Sequence, residues 1–193
     1  ENFRQHLIRG LALFFCLFSV YMLTYNGRLS FNDELQMVDT TESIVEYGDD
    51  KYDLSVWYVW DNYGQIGQNL NEQYALPSSP IEPGMSLVGI PFYLLGKLFP
   101  GFGVMHLIWL ANIVICAAAC VVMYTFTIVL GYRQNVAMFA AFSLGLLTVL
   151  WPYSRTFLRE PLNLFGLLLT GLLFEISRQR RSFFLFFAGI AVL

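Results

Sequence analysis

The chain has 193 residues, 56% of them hydrophobic and only 13% charged, where a soluble domain carries about a quarter charged residues. The formal net charge of −3 is unevenly spread: eleven of the fourteen acidic residues fall between Asp33 and Glu82, where only Lys51 is basic. Long uncharged apolar blocks joined by short arginine-bearing loops exclude a soluble globular domain, and the missing basic patch excludes a nucleic-acid partner.

The first apolar block covers residues 7–25, flanked by Arg4 and Arg9 and closed by Tyr21 and Tyr25. It is long for a signal peptide, and no small-x-small cleavage site follows, so it reads as a retained span. An outer loop, residues 26–103, comes next. In it Asn32-Asp33-Glu34 opens a helix, capped by Ser30 or Asn32, with Leu35, Val38 and Val45 on one side and Gly48 as the stop. Asp49, Asp50 and Asp53 form a turn whose spacing lacks the distal glutamate of a calcium loop. A stretch with Trp57, Trp60, Tyr63 and Tyr74 follows and ends at Pro77, Pro80 and Pro83. Residues 81–99 are apolar but short, holding Gly84, Gly89, Pro91, Gly96 and Lys97; they either span or lie in the interface as an amphipathic helix. Further spans are expected at 104–130, 136–153, 162–177 and 182–193, the last still apolar at Leu193. With Glu1 in place of Met, that ending suggests the N-terminal part of a longer protein.

Positive charge decides how residues 81–99 lie. If they cross, the cluster Arg178, Arg180 and Arg181 falls on the side of the acidic loop. If they lie in the interface, Arg4, Arg9, Arg133 and that cluster are all cytoplasmic, as the positive-inside bias prefers. The second arrangement puts Glu160 on the same outer face as Asp33, together with Arg155 and Arg159. The expected fold is therefore all-α and polytopic, with juxtamembrane helices in an outer loop between the first and second spans.

Cys16, Cys116 and Cys120 sit inside apolar blocks and read as small hydrophobes rather than metal ligands. The candidates for chemistry are carboxylates at block ends. Asp33-Glu34 stand near a helix start, where a carboxylate is also simply favourable; functionally the pair offers a general base or metal ligand. Glu160 precedes Pro161, which suits a first helical turn, so Glu160 is either a cap paired with Arg155 or Arg159 or a second reacting carboxylate. Glu82-Pro83 opens the interfacial block and by itself reads as a proline-rich turn. His106 has no second candidate ligand beside it in the sequence, and Glu175 can pair with Arg178 on the next turn.

Taken together these pieces resemble the GT-C superfamily of polytopic membrane glycosyltransferases, in the branch of the protein O-mannosyltransferases and bacterial aminoarabinose transferases. The resemblance rests on Asp33-Glu34 after the first span and Gly48 ending the helix behind it. It rests further on Glu82-Pro83-Gly84-Met85-Ser86-Leu87 at the juxtamembrane helix, which keeps one of the branch's two prolines. The last element is Tyr153-Ser154-Arg155 followed by Glu160, in place of the branch's aspartate. It implies transfer of a hexosyl or pentosyl unit, with inversion, from a polyprenyl-phosphate sugar to a hydroxyl of a glycan, lipid or protein. The site would lie on the extracytoplasmic side of a membrane, nearest to a bacterial inner membrane. Asp33 would be the base and Glu34 its catalytic neighbour. Glu160 would orient the acceptor or Asp33, or share a divalent cation with Asp33, and Arg155 or Arg159, with Tyr153 and Glu82, would bind substrate. A transporter or flippase of lipid-linked substrates, and a non-catalytic membrane subunit, are the alternative readings.

Overall fold

A computed structural model describes residues 3–27, 32–49, 83–180 and 187–189. Among the described residues the chain is helical, without strands: α1 Phe3–Leu23, α2 Asn32–Glu46, α3 Gly84–Leu98, a 3-10 turn Pro100–Phe102, α4 Val104–Val129, α5 Gln134–Leu146, α6 Leu150–Tyr153 and α7 Glu160–Arg180. The aromatic stretch from Trp57 to Tyr74, and Glu82, lie outside the described residues, as does most of 182–193.

Among the described residues three helices are long and apolar enough to cross a membrane: Arg4–Leu23, Val104–Val129 and Glu160–Arg180. The block at 136–153, read from sequence as one span, is instead two helices: α5 ends at Leu146 after 13 residues, and α6 has 4. Pro152 accounts for the break. It has no N–H to give to Thr148 four residues back, and its ring would collide with that carbonyl, so the chain turns at 147–149 and restarts.

Backbone contacts divide the chain into two compact units. The first is Glu1–Tyr25, Asn112–Arg155 and Glu160–Leu193; the second is Asn26–Ala111 and Thr156–Arg159. α4 therefore contributes its first two turns to the second unit and the remainder to the first.

The first unit packs through small residues. Ala137, Ala141 and Gly145 recur every fourth position along the buried face of α5, and Cys116, Ala117, Ala119 and Cys120 are fully buried on α4. Between lipid-bathed helices there is no hydrophobic gain in burying large side chains, so close backbone approach is what stabilises the contact. Gly145 marks the closest approach: a Cβ there would fall 2.9 Å from the Tyr21 hydroxyl. That hydroxyl donates to the Gly145 carbonyl at 3.0 Å. At one end of the unit His6 Nδ1 meets Tyr124 Oη at 3.0 Å, and Gln179 Nε2 donates to the Val129 carbonyl at 2.8 Å. The start of α1 and the ends of α4 and α7 thus share one end, with Arg4, Arg9, Arg133, Arg178 and Arg180. Toward the other end Trp151 Nε1 donates to Thr24 Oγ1 at 3.0 Å.

In the second unit α3 lies against α2. The buried side of α3 is Met85, Ser86, Gly89, Tyr93 and Gly96, a single stripe at three- and four-residue spacing. Leu87, Leu94, Leu95 and Leu98 are exposed. Gly96 lets α3 run close under α4, since a Cβ there would sit 2.6 Å from the Val104 Cα.

Candidate functional site

The second unit is built around a polar helix. α2 starts at Asn32 with Asp33 and Glu34 in its first turn, where the unpaired N–H groups and the positive end of the helix favour carboxylates. It ends with Tyr47 and Gly48 donating to the Ser43 carbonyl, both at 3.0 Å, and with Gly48 at φ +72°, a left-handed stop that glycine adopts without strain.

The two acids of the first turn go separate ways. Asp33 is exposed. Glu34 is fully buried, and its Oε1 accepts the backbone N–H of Phe157 at 3.2 Å, across 123 positions of sequence. Phe157 is itself fully buried. Its ring lies against Trp109, with centroids 6.2 Å apart, and it closes over Gly89, where a Cβ would come within 2.8 Å of Phe157 Cζ and 3.0 Å of Thr41 Oγ1. The buried indole N–H of Trp109 makes no hydrogen bond among the described residues, leaving beside Phe157 a donor that a water or ligand oxygen would satisfy.

Hydroxyls tie α2 to α3. Thr41 Oγ1 donates to the carbonyls of Met37 (2.7 Å) and Ser86 (3.1 Å), and Ser86 Oγ donates to the Met37 carbonyl at 3.0 Å. At the far end of α2, Glu46 accepts from both Tyr93 Oη and Lys97 Nζ. The Lys97 hydrogen bond holds the Glu46 carboxyl below its usual range, while burial, then the charge of Glu42, pushes the Tyr93 phenol up.

Of the residues marked from sequence, Asp33, Glu34 and Arg159 belong to the second unit, Arg159 exposed at the end of the buried run Thr156-Phe157-Leu158. Tyr153, Arg155 and Glu160 belong to the first. There Tyr153 and Arg155 are half-buried, and Glu160 is exposed as the first residue of α7, with Pro161 behind it. Among the described residues no three metal-ligating side chains gather into one group. Two things escaped the sequence reading. One is Asp39, a fully buried second carboxylate on α2, with Thr40, Thr41 and Ser43 also buried. The other is that Glu34 grips the backbone ahead of Arg159. The available signal was the lack of any broad apolar stripe on α2, because such a helix needs support from side-chain hydrogen bonds.

The chain matches no protein-family model, no curated protein and no solved structure.

Proposed function

We propose that this protein is a membrane glycosyltransferase of the kind the GT-C resemblance implies, moving a sugar from a polyprenyl-phosphate donor to an acceptor hydroxyl with inversion. The observation that carries the reading is the Glu34–Phe157 hydrogen bond. Two distant stretches of the chain can serve one reaction only if they meet, and this buried bond ties the Asp33-Glu34 turn to the segment that ends in Arg159. It supports different roles for the adjacent acids. Glu34 is a positioning residue that fixes the 156–159 backbone, while Asp33, exposed beside it, is the general base.

In the proposed step the Asp33 carboxylate takes the proton of the acceptor hydroxyl as its oxygen attacks the anomeric carbon. The bond from that carbon to the phosphate oxygen breaks, and the lipid phosphate leaves with the electron pair. Arg159, exposed in the same unit as Asp33, neutralises the departing phosphate through charge-assisted hydrogen bonds. The outward leucines of α3 suit an amphipathic helix lying in the membrane interface. The basic ends of α1, α4 and α7, gathered at one end of the first unit, suit a cytoplasmic face there; the extracytoplasmic side of the reaction is what the GT-C resemblance implies.

In the full-length protein Asp33→Asn is expected to lower transfer from a radiolabelled polyprenyl-phosphate sugar by about 100- to 10,000-fold, the usual worth of a positioned base, with membrane insertion unchanged. Normal turnover in that variant removes Asp33 from the mechanism.

A further inference from the structure

We infer that the cleft between α1, α4 and α7 in the first unit is a binding site for one anionic phospholipid, its acyl chain in the cleft and its phosphate at the arginines of the unit's basic end. The cleft has a volume of about 380 Å³ and is walled by Leu7, Leu11 and Phe14 of α1, Val121 of α4 and Phe165 of α7, a volume in the usual range of ligand sites. An apolar cleft lined by such side chains has little to offer water and suits hydrocarbon. It runs from Phe14 and Phe165 to the hydrogen-bonded His6–Tyr124 pair, with Thr125 the other polar residue of its lining. Eight positions of helix separate Phe14 from His6, about 12 Å at 1.5 Å per residue, the reach of a partly buried acyl chain.

Charge chooses the headgroup. Leu7, Leu11 and Phe14 lie on one stripe of α1 at spacings of four and three, and the same stripe continues one turn earlier to Arg4, which is exposed. Arg133, also exposed, follows the end of α4 at this end of the unit. Residues 3–27 and 104–146 contain no Asp or Glu. Glu175, the described acid near this end, already accepts two hydrogen bonds from Arg178. A basic rim over an apolar cleft between spans recognises a phosphate with an uncompensated negative charge and rejects a zwitterion. None of the lining residues of the cleft is among those proposed for the reaction, and the inference stands without that reading.

The test uses the full chain in phosphatidylcholine nanodiscs carrying a trace of phosphatidylglycerol with a photoactivatable acyl chain. After irradiation, adducts are expected within 6–14 and 118–128, the stretches that wall the cleft. Arg4→Gln should lower the labelling about fivefold, and Arg4→Gln with Arg133→Gln about 25-fold, the effect of one and two basic side chains at a charged interface. Leu11→Trp, which grows into the cleft from a half-exposed position, should abolish it without disturbing the helix contacts. Photoactivatable phosphatidylcholine should label more weakly and ignore the arginine changes. Equal labelling by the two lipids, labelling indifferent to Arg4→Gln, no adduct in these stretches, or better competition by free polyprenyl phosphate than by phosphatidylglycerol would each overturn the assignment.

Discussion

α1 and α2 are successive helices built on opposite rules. Leu7, Ile8, Leu11, Phe15 and Leu23 of α1 are all at least half exposed, whereas Glu34, Asp39, Thr40, Thr41 and Ser43 of α2 are buried. In water both patterns would be inverted, because carboxylates resist full burial unless paired. The bilayer explains α1: its large apolar side chains face lipid as readily as they would face a protein core, and its buried face is Gly10, Leu13, Leu17 and Tyr21. Hydrogen bonding explains α2: Thr41, Ser86 and Glu34 each close a bond onto the backbone of a neighbouring segment. Burial in this chain is thus decided by closeness of approach in one unit and by closure of polar groups in the other.

After the loss of transfer in Asp33→Asn, the largest effect should come from opening the polar closure. Glu34→Ala leaves the buried Phe157 N–H without that acceptor, at a cost of about 1–3 kcal/mol. Thermal unfolding in detergent should fall accordingly, and transfer should fall with it. Glu34→Gln keeps an amide oxygen in the acceptor position and should recover most of both. If Glu34→Ala unfolds at the wild-type temperature, the polar half of the comparison is wrong. Gly89→Ala should be next. Its added methyl has Phe157 Cζ at 2.8 Å and Thr41 Oγ1 at 3.0 Å, and overpacking of this kind costs about 1–3 kcal/mol. Because Phe157 is the group displaced, the drop in unfolding temperature should be smaller in the background of Glu34→Ala, where the 156–159 segment is already released.

These two residues also show how far the sequence could be read. The ends of α2 were legible, because Asn32-Asp33 and Gly48 are local signals whose physics lies within one turn of the helix. The three candidate spans were legible from uninterrupted apolar length. The break at 147–149 was not seen, since hydropathy runs smoothly across it; Pro152 carried the information, and steric exclusion outweighed apolarity. The division of labour between Asp33 and Glu34 was not legible at all. Both are acids in a first turn, and which one is buried depends on α3 and residues 156–159 arriving from distant parts of the chain. Asp39 was hidden for the same reason.

In the first unit the corresponding lesion is Tyr21→Phe. It removes the donor to the Gly145 carbonyl but keeps the ring that fills the space, so it should cost about 1 kcal/mol, the net value of a typical hydrogen bond. A shift in unfolding temperature as large as that of Glu34→Ala would mean that polar closure governs this unit too, and the contrast with α2 would disappear.

The smallest effect belongs to the surface end of the α2–α3 contact, where Lys97 and Tyr93 both donate to Glu46. Lowering of the Glu46 pKa below its ordinary 4.5, chiefly by the Lys97 hydrogen bond, means that the folded state binds this proton less readily than the unfolded chain. That stabilisation is therefore complete above pH 4.5 and is lost as pH falls through the lower folded value. Tyr93 shifts the opposite way, raised from 10.0 first by burial, so its share is complete below pH 10.0 and is lost as pH rises through the folded value. Glu46 is largely exposed, and solvent and salt screen it, so Lys97→Gln should cost about 0–1 kcal/mol at neutral pH. The difference in unfolding temperature between wild type and Lys97→Gln should be flat between pH 6 and 8, and about zero once pH falls well below 4.5. A difference that persists in acid would mean that Lys97 acts through packing of its stem along α3. The outer end of the contact would then follow the rule of close approach that governs the first unit.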